Sequence, residues 1–178
     1  MEKLIKSRER VSKFAEVYTP SFVVKDMCDL VGDTLKELRS KVLEPACGNG
    51  NFLVEILDRK LSLITHNFEL NALIAVSSLY GIDIQEDNCK ECRERLYTLV
   101  LSYGETDKDI LRKILDKNII CGNTLTQQTS QNTDLIFTDY VFQEGKILCM
   151  EHSFKDMLNG ITDNVIKEYL LWLRHYKI

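Results

Sequence analysis

Two periods of hydrophobic and polar positions alternate along the chain, one typical of strands and one typical of helices. Short apolar runs predict five strands, at 41–43, 80–84, 118–121, 134–137 and 146–150. Apolar residues at helical spacing predict helices at 52–57, 70–79, 86–101, 107–116 and 162–176. Strands that alternate with helices are typical of βαβ units, so we expect an α/β fold with a doubly wound, mostly parallel sheet.

Two further helices are predicted ahead of the first strand. Residues 2–15 form a polar, charged helix, and Thr19 and Pro20 then suit the N-cap and first turn of the next helix. The apolar stripe of that second helix comprises Phe22, Val23, Met27, Leu30 and Val31, and the helix ends near Gly32. We therefore expect one domain over 1–178, with an N-terminal helical part (2–32), an α/β core (41–150) and a C-terminal helical segment (151–178).

Length and composition favour a single soluble domain. With 178 residues, 44% of them hydrophobic, the chain can bury a sizeable core. No apolar run approaches the ~20 residues that span a bilayer, and the charged N-terminus has no apolar signal core. We expect a cytoplasmic protein without a membrane partner.

Charge and cysteine content exclude some classes of site. The 23 basic and 27 acidic residues give a net charge of −4, so the chain lacks the basic excess that would hold a long DNA duplex by itself. Cys89 and Cys92 form a Cys-x-x-Cys pair, but no second pair follows at zinc spacing, and the two share one face of a predicted helix. We interpret them as core residues with reduced thiols, and we predict no metal site.

A Gly-Asn-Gly turn at 48–50 lies between the first predicted strand and the next helix, where doubly wound folds bind nucleotide-like ligands. The third glycine of a dinucleotide fingerprint is absent, and no Gly-Lys-Ser/Thr follows. Glu44, at the strand end, would repel a pyrophosphate but would attract an ammonium or a sulfonium. S-adenosylmethionine is a ligand that carries both cations.

Polar side chains also follow the next two predicted strands. Asp83 can accept hydrogen bonds from both hydroxyls of a ribose, and Ile84 can cover an adenine ring. Asn123 can donate to a ring nitrogen and accept from an exocyclic amine. Taken singly, Asp83 suits a helix N-cap or a turn, Asn123 suits a turn, and Glu44 suits a surface acid. Their position at successive strand ends favours a ligand site.

Four segments, taken in chain order, resemble the adenine-specific DNA methyltransferases of restriction–modification systems. They are Glu-Val-Tyr-Thr-Pro at 16–20, Leu-Glu-Pro-Ala-Cys-Gly-Asn-Gly-Asn-Phe-Leu at 43–53, Tyr-Gly-Ile-Asp-Ile at 80–84 and Asn-Ile-Ile-Cys-Gly-Asn-Thr-Leu at 118–125. The resemblance covers about residues 14–140. It implies a Rossmann-like fold that binds S-adenosylmethionine.

The resemblance also implies roles for individual residues around the cofactor. The methionine part would be flanked by Tyr18, Thr19 and Pro20. Its amino and carboxylate ends would be held by Glu44, Ala46, Gly48 and Gly50, where the glycines let the backbone approach the ligand. Asp83 would bind the ribose, and Asn123 and Leu125 would contact the adenine.

The catalytic signature of that family is missing. It consists of Asn or Asp, two prolines and an aromatic residue just after the fourth strand, where these residues bind a flipped base. This chain has two prolines, at 20 and 45, and both lie elsewhere. Asp139 and Tyr140 keep an acceptor and an aromatic ring, so they are the candidate catalytic residues. Alternatively, residues 138–142 continue an edge strand.

Two functions remain open on the sequence. The first is an adenine-specific enzyme that transfers a methyl group from S-adenosylmethionine to the exocyclic amine of a flipped DNA base. The second is a methyltransferase-like subunit that binds cofactor but is catalytically weak or inactive, and that works through a DNA-binding or specificity partner. The missing signature and the acidic charge favour the second, and the cofactor segments favour a ligand-dependent role. The sequence does not determine the oligomeric state.

Overall fold

The computed structural model of the chain describes residues 4–143 and 146–160, and the backbone of residues 166–171. Its α-helices are α1 (Arg8–Phe14), α2 (Ser21–Val31), α3 (Asn51–Ser62), α4 (Phe68–Ser77), α5 (Glu86–Tyr103), α6 (Lys108–Asn118) and α7 (Phe154–Leu158), and a 3-10 helix spans Gly32–Lys36. Its strands are β1 (Val42–Glu44), β2 (Leu79–Asp83), β3 (Ile119–Cys121), β4 (Ile136–Gln143), β5 (Lys146–Ser153) and β6 (Ile166–Leu171).

A parallel sheet of three strands, in the order β1-β2-β3, carries the first half of the fold. In its register Leu43 pairs with Tyr80, and Ile82 pairs with Ile120. Helices α3 and α4 connect β1 to β2, and α5 and α6 connect β2 to β3. Helix α3 packs on α5 and α4 packs on α6, around side chains that are fully buried. The predicted α/β pattern of this half, with its parallel strands, is confirmed.

The fourth and fifth predicted strands do not extend the parallel sheet. Strands β4, β5 and β6 form a separate antiparallel sheet, in which Asp139 pairs with Met150. Two residues of sequence separate β4 from β5, and a parallel connection needs a dozen or more. The β4 segment covers β2, because Phe137 packs edge-to-face on Tyr80 with ring centroids 5.3 Å apart. The described chain is therefore a mixed α/β structure with a three-stranded parallel sheet.

The prediction of a C-terminal helix over 162–176 is wrong for the residues of this stretch that the structure describes. Residues Ile166–Leu171 form β6, which pairs antiparallel with β5. An open strand edge offers a row of backbone hydrogen-bond partners, and this pairing outweighs a helical pattern of side chains. Within the predicted C-terminal helical segment, α7 spans only Phe154–Leu158, and the rest of the 162–176 stretch lies outside the described residues.

Helix α2 buries a different face from the predicted one. Phe22, Met27, Leu30 and Val31 are 67%, 47%, 88% and 55% exposed, whereas Val24 and Cys28 are buried. The helix is apolar over more than one face, and its packing on α3 covers only one of them. Its N-cap is Pro20 rather than Thr19, and no side chain caps it.

Two expectations drawn from the composition concern the cysteine pair on α5 and membrane-spanning helices. Cys89 and Cys92 are fully buried on α5 among the core residues, so the packing interpretation of this pair is confirmed. In the part of the chain that the structure describes, no helix is both long and apolar enough to cross a membrane.

Candidate functional site

A cavity of about 440 Å³ opens at the carboxyl ends of the three parallel strands. Its walls come from four chain segments and the start of α3, namely 14–19, 44–49, 83–85, 122–125 and the pair Asn51 and Phe52. The carboxyl ends of parallel strands are where open α/β sheets bind their ligands, and the volume suits a ligand of cofactor size. The cavity is therefore the candidate functional site.

Nine of the eleven predicted cofactor residues line this cavity. They are Tyr18, Thr19, Glu44, Ala46, Gly48, Asp83, Ile84, Asn123 and Leu125. Pro20 and Gly50 do not line it. A Cβ on Gly50 would lie 2.5 Å from Sγ of Cys92, so this glycine faces the core rather than the ligand space.

The turn after β1 owes its shape to two glycines in the left-handed region. Gly48 has φ 53° and Gly50 has φ 91°, conformations that L-residues with side chains rarely adopt. The N–H of Cys47 donates to the carbonyl of Ile82 at 2.8 Å, which ties the turn to β2. The Tyr18 ring lies over Gly48, since a Cβ there would be 3.3 Å from two ring carbons.

Asp83 is the last residue of β2, and both of its carboxylate oxygens accept hydrogen bonds from other groups of the protein. Its Oδ2 accepts from the N–H of Gly48 at 2.9 Å, and its Oδ1 accepts from the N–H of Gln85 at 2.8 Å and from Nδ2 of Asn88 at 3.1 Å. Because an ionised carboxylate has about four acceptor positions, one position on Oδ2 remains. Asp83 thus shapes the turns around it, as the alternative interpretation supposed, and also lines the cavity.

The charged residues among the described lining are three acids, Glu16, Glu44 and Asp83. Burial raises the pKa of Glu44, and the N–H of Ala46, which donates to its Oε1 at 3.3 Å, partly opposes that shift. Glu16 is paired with Arg10, so the attraction for cations and the repulsion of phosphates come mainly from Glu44 and Asp83. The electrostatics therefore suit a ligand with an ammonium or a sulfonium.

The segment after β3 forms a compact turn. Oδ1 of Asn123 accepts from the N–H of Leu125 at 2.9 Å and from that of Thr126 at 3.3 Å, so its side chain makes the turn that the alternative interpretation predicted. Leu125 lines the cavity but is 93% exposed. Ile84 is also exposed at the rim, so the two apolar side chains are free to cover a ligand.

Sequence reasoning did not single out several other lining residues, among them Phe14, Glu16, Asn51 and Phe52. Glu16 stands in the 16–20 segment, and Asn51 and Phe52 stand in the 43–53 segment, so the family resemblance could have found all three. Nδ2 of Asn51 donates to the carbonyl of Thr19 at 2.8 Å, and this contact joins the N-terminal segment to α3. A long-range contact of this kind leaves no local sequence pattern.

Asp139 and Tyr140 lie at a different place. They line a second cavity of about 180 Å³ near the start of β1 and β2, together with Lys41 and Tyr80. Oδ2 of Asp139 pairs with Nζ of Lys41 at 2.6 Å, and its Oδ1 accepts from the Tyr80 hydroxyl. His152 Nε2 is 3.5 Å from the same carboxylate. The structure does not bring the two candidate catalytic residues to the candidate functional site.

The direction of β4 explains this placement. Leu135, just before β4, packs at Gly122 beside the carboxyl end of β3, whereas Asp139 reaches Lys41, which precedes β1. The strand therefore runs away from the cavity. Counted from Asp139, the aromatic position of the family signature falls on Phe142, which packs against the main core.

Comparison with known proteins places these observations in a family. A family model described as N-6 DNA methylase matches residues 2–177. A Methanocaldococcus jannaschii protein, described as a type II restriction enzyme and methyltransferase, is 24% identical over 132 residues, which are 66% of this chain and 11% of that protein. A type II restriction enzyme and methyltransferase of Heyndrickxia coagulans is 33% identical over 110 residues, which are 62% of this chain and 15% of that protein.

The aligned part of this chain thus spans about a tenth to a seventh of the length of these two relatives. No solved structure matches the chain. The family model covers nearly all of the sequence, including every segment that lines the cavity. The chain belongs to the N-6 DNA methylase family.

Proposed function

We propose that this chain binds S-adenosylmethionine in the 440 Å³ cavity and serves a DNA methyltransferase that acts on the exocyclic amine of adenine. One observation carries the proposal. Segments far apart in the sequence, around Tyr18, Glu44, Gly48 and Asp83, converge on one acidic cavity at the carboxyl ends of parallel strands. This convergence occurs in a member of the N-6 DNA methylase family.

The residues present fit the chemistry of this cofactor. Glu44 offers a carboxylate for its ammonium, and the backbone at Ala46 and Gly48 can approach its methionine part, which Tyr18 and Thr19 flank. Asp83 keeps acceptor capacity on Oδ2 for a ribose hydroxyl, and Ile84 and Leu125 expose apolar surface for an adenine ring. The bound cofactor would supply an electrophilic methyl group, so alignment with the target amine does much of the work.

The proposal includes the finer fold. On its outer side β1 pairs with no other described strand, and Leu43 is partly exposed there. In a doubly wound sheet the strands continue on both sides of the position where ligands bind. We propose that β1-β2-β3 is one half of a Rossmann-like sheet of this kind.

A second candidate function is a cofactor-binding subunit that relies on a DNA-binding or specificity partner. It is favoured by the position of Asp139, whose carboxylate is engaged with Lys41 and Tyr80 in the second cavity. For Asp139 and Tyr140 to contact the target base, the segment that carries them would have to lie at the carboxyl end of the sheet. The net charge of −4 also favours help with DNA binding.

Calorimetric titration with S-adenosylmethionine tests the proposal, with ATP as the matched anionic nucleotide. We expect S-adenosylmethionine to bind and ATP not to bind, because the cavity is lined by acids. Radiolabelled cofactor with single- and double-stranded DNA then measures methyl transfer, which we expect to be slow for the isolated chain. The absence of both heat and a thermal shift at millimolar S-adenosylmethionine would refute cofactor binding, and rapid turnover by the chain alone would refute the need for a partner.

A further inference from the structure

A buried chain of hydrogen bonds links the N-terminal segment to Asp83. Asn88, in the first turn of α5, is 1% exposed. Its Nδ2 donates to Oδ1 of Asp83 at 3.1 Å and lies 3.4 Å from Oε2 of Glu16. Its Oδ1 accepts from the Tyr18 hydroxyl at 2.8 Å. One amide therefore contacts both a carboxylate and a tyrosine of the cavity wall, although Asn88 does not itself line the cavity.

The partners determine which way the Asn88 amide is turned. In the opposite orientation the amide oxygen of Asn88 would face the carboxylate oxygens of Asp83 and Glu16. All of these atoms are hydrogen-bond acceptors, so no hydrogen bond could form between them. The Tyr18 hydroxyl has one proton and lies between two acceptors, Oδ1 of Asn88 and, at 3.0 Å, Oε1 of Glu16. Burial and the hydrogen bond to Glu16 raise the pKa of Tyr18, so this hydroxyl remains a donor.

Arg10 balances the charge at the outer end of this chain. Its Nε donates to Oε2 of Glu16 at 2.8 Å, and its Nη2 lies 2.5 Å from the same oxygen. Arg10 also pairs with Asp87, which lies next to Asn88 on α5. Without this guanidinium, Asn88 would lie between two uncompensated carboxylates, Glu16 and Asp83. The arrangement thus holds the two acids close together at little electrostatic cost.

We infer that Asn88 and Tyr18, supported by Glu16 and Arg10, are positioning residues that orient the Asp83 carboxylate for the cofactor ribose. Gln85 and Asn88 occupy Oδ1 of Asp83, which leaves Oδ2 as the oxygen with a remaining acceptor position. The inference rests on the proposed function, because it needs S-adenosylmethionine to bind in this cavity. It adds residues that act through Asp83 rather than by contact with the ribose.

Two conservative variants test the role of this chain. Asn88→Asp keeps the side-chain shape but replaces the donor with an acceptor, and Tyr18→Phe removes only the hydroxyl. Each has a matched control away from the cofactor cavity. Asn118→Asp changes an equally buried asparagine whose Oδ1 accepts from the N–H of Thr138. Tyr80→Phe removes a buried hydroxyl that donates to Asp139.

The measurement compares two ligands by calorimetry, S-adenosylmethionine and its analogue that lacks both ribose hydroxyls. We expect the wild-type protein to prefer the complete cofactor by about 10- to 150-fold, the range for hydrogen bonds to a charged group. In Asn88→Asp and Tyr18→Phe, affinity for S-adenosylmethionine falls about tenfold or more, while affinity for the analogue changes less than about twofold. Both controls keep the wild-type preference.

The outcomes separate this inference from the proposed function. If the wild-type protein binds neither ligand, the proposed function fails and the inference fails with it. If the wild-type protein binds both ligands equally, Asp83 does not bind the ribose, and the inference is wrong even though the cofactor binds. If a variant loses affinity for both ligands to the same extent, or keeps the wild-type preference, the residue is merely structural and the inference is wrong. If Asn88→Asp does not fold, the ligand preference of Tyr18→Phe tests the inference by itself.

Discussion

The backbone N–H of Gly48 donates to Oδ2 of Asp83 at 2.9 Å, and this bond joins two residues that are 35 positions apart. Because of it, the carboxylate that ends β2 also holds the glycine turn that follows β1. The same carboxylate lines the cavity. One side chain therefore both shapes the turn and lines the cavity.

We expect Asp83→Ala to weaken S-adenosylmethionine binding about 10- to 150-fold, because a hydrogen bond to a charged group contributes ~1.5–3 kcal/mol. Thermal stability should also fall, since the Gly48 and Gln85 amides lose their acceptor. Asp83→Asn is the control, because it keeps an acceptor oxygen but loses the charge. Unchanged affinity in Asp83→Ala, measured by calorimetry, would exclude this residue from the site.

Gly50 should matter for stability rather than for ligand contact. An alanine there has its Cβ 2.5 Å from Sγ of Cys92 and must also adopt φ 91°. We expect Gly50→Ala to lower the free energy of unfolding by about 2–4 kcal/mol, from the left-handed backbone and the overpacking together. Urea unfolding measures the loss, and Cys92→Ala in the same chain should recover part of it.

Gly48→Ala is the matched comparison for Gly50→Ala. Its Cβ would meet only the Tyr18 ring, at 3.3 Å, so the loss of stability should be smaller. A folded Gly50→Ala protein of wild-type stability that no longer binds S-adenosylmethionine would show that this glycine does contact the ligand.

Asp139→Ala distinguishes a structural role of this residue from a catalytic one. The substitution leaves the buried Tyr80 hydroxyl and the Lys41 ammonium without their acceptor. We expect a loss of about 1–3 kcal/mol in the free energy of unfolding and no change in S-adenosylmethionine affinity. Lys41→Ala removes the more exposed partner and should cost less than about 1 kcal/mol. If Asp139→Ala keeps the wild-type stability but no longer transfers methyl groups, the catalytic role is favoured instead.

Lys60 makes the free energy of unfolding depend on pH. Its side chain is fully buried, and its ammonium donates to the carbonyl of Ser40 and the hydroxyl of Ser78, both at 2.6 Å. Burial lowers the pKa of Lys60 from 10.5 to about 8. Between these two pH values the unfolded chain binds the proton and the folded chain does not, so this group makes stability rise with pH.

The contribution of Lys60 is isolated by comparing the wild-type protein with Lys60→Met. From about pH 7.5 to about pH 9.5, the stability of the wild-type protein relative to the variant should increase by about 2 kcal/mol. Tyr18 and Tyr80, whose pKa values are raised by burial, change stability in the opposite direction in both proteins and cancel in the difference. Parallel pH profiles in urea unfolding would contradict the prediction.

The strand-end segments that line the cavity could be predicted because each is a local pattern. Glu44, Gly48, Asp83 and Asn123 each follow a short apolar run, and parallel strands bring such ends to one edge of the sheet. Asn88 could not be found in this way. Its hydrogen bonds with Tyr18 and Glu16 reach residues about 70 positions away in the sequence, and no local pattern records them.

The sequence alone determined the helices and strands of the parallel half, since apolar periodicity and strand-end glycines act over a few residues. Tertiary structure decided which face of α2 is buried, because its packing on α3 selected Val24 and Cys28 over Leu30 and Val31. It also decided that Ile166–Leu171 is a strand, because the open edge of β5 supplied backbone partners. The position of Asp139 follows from the path of β4, which packs on α4 and α6 and places Phe137 on Tyr80. These contacts join segments that are distant in the sequence, so tertiary packing decided them and no local pattern did.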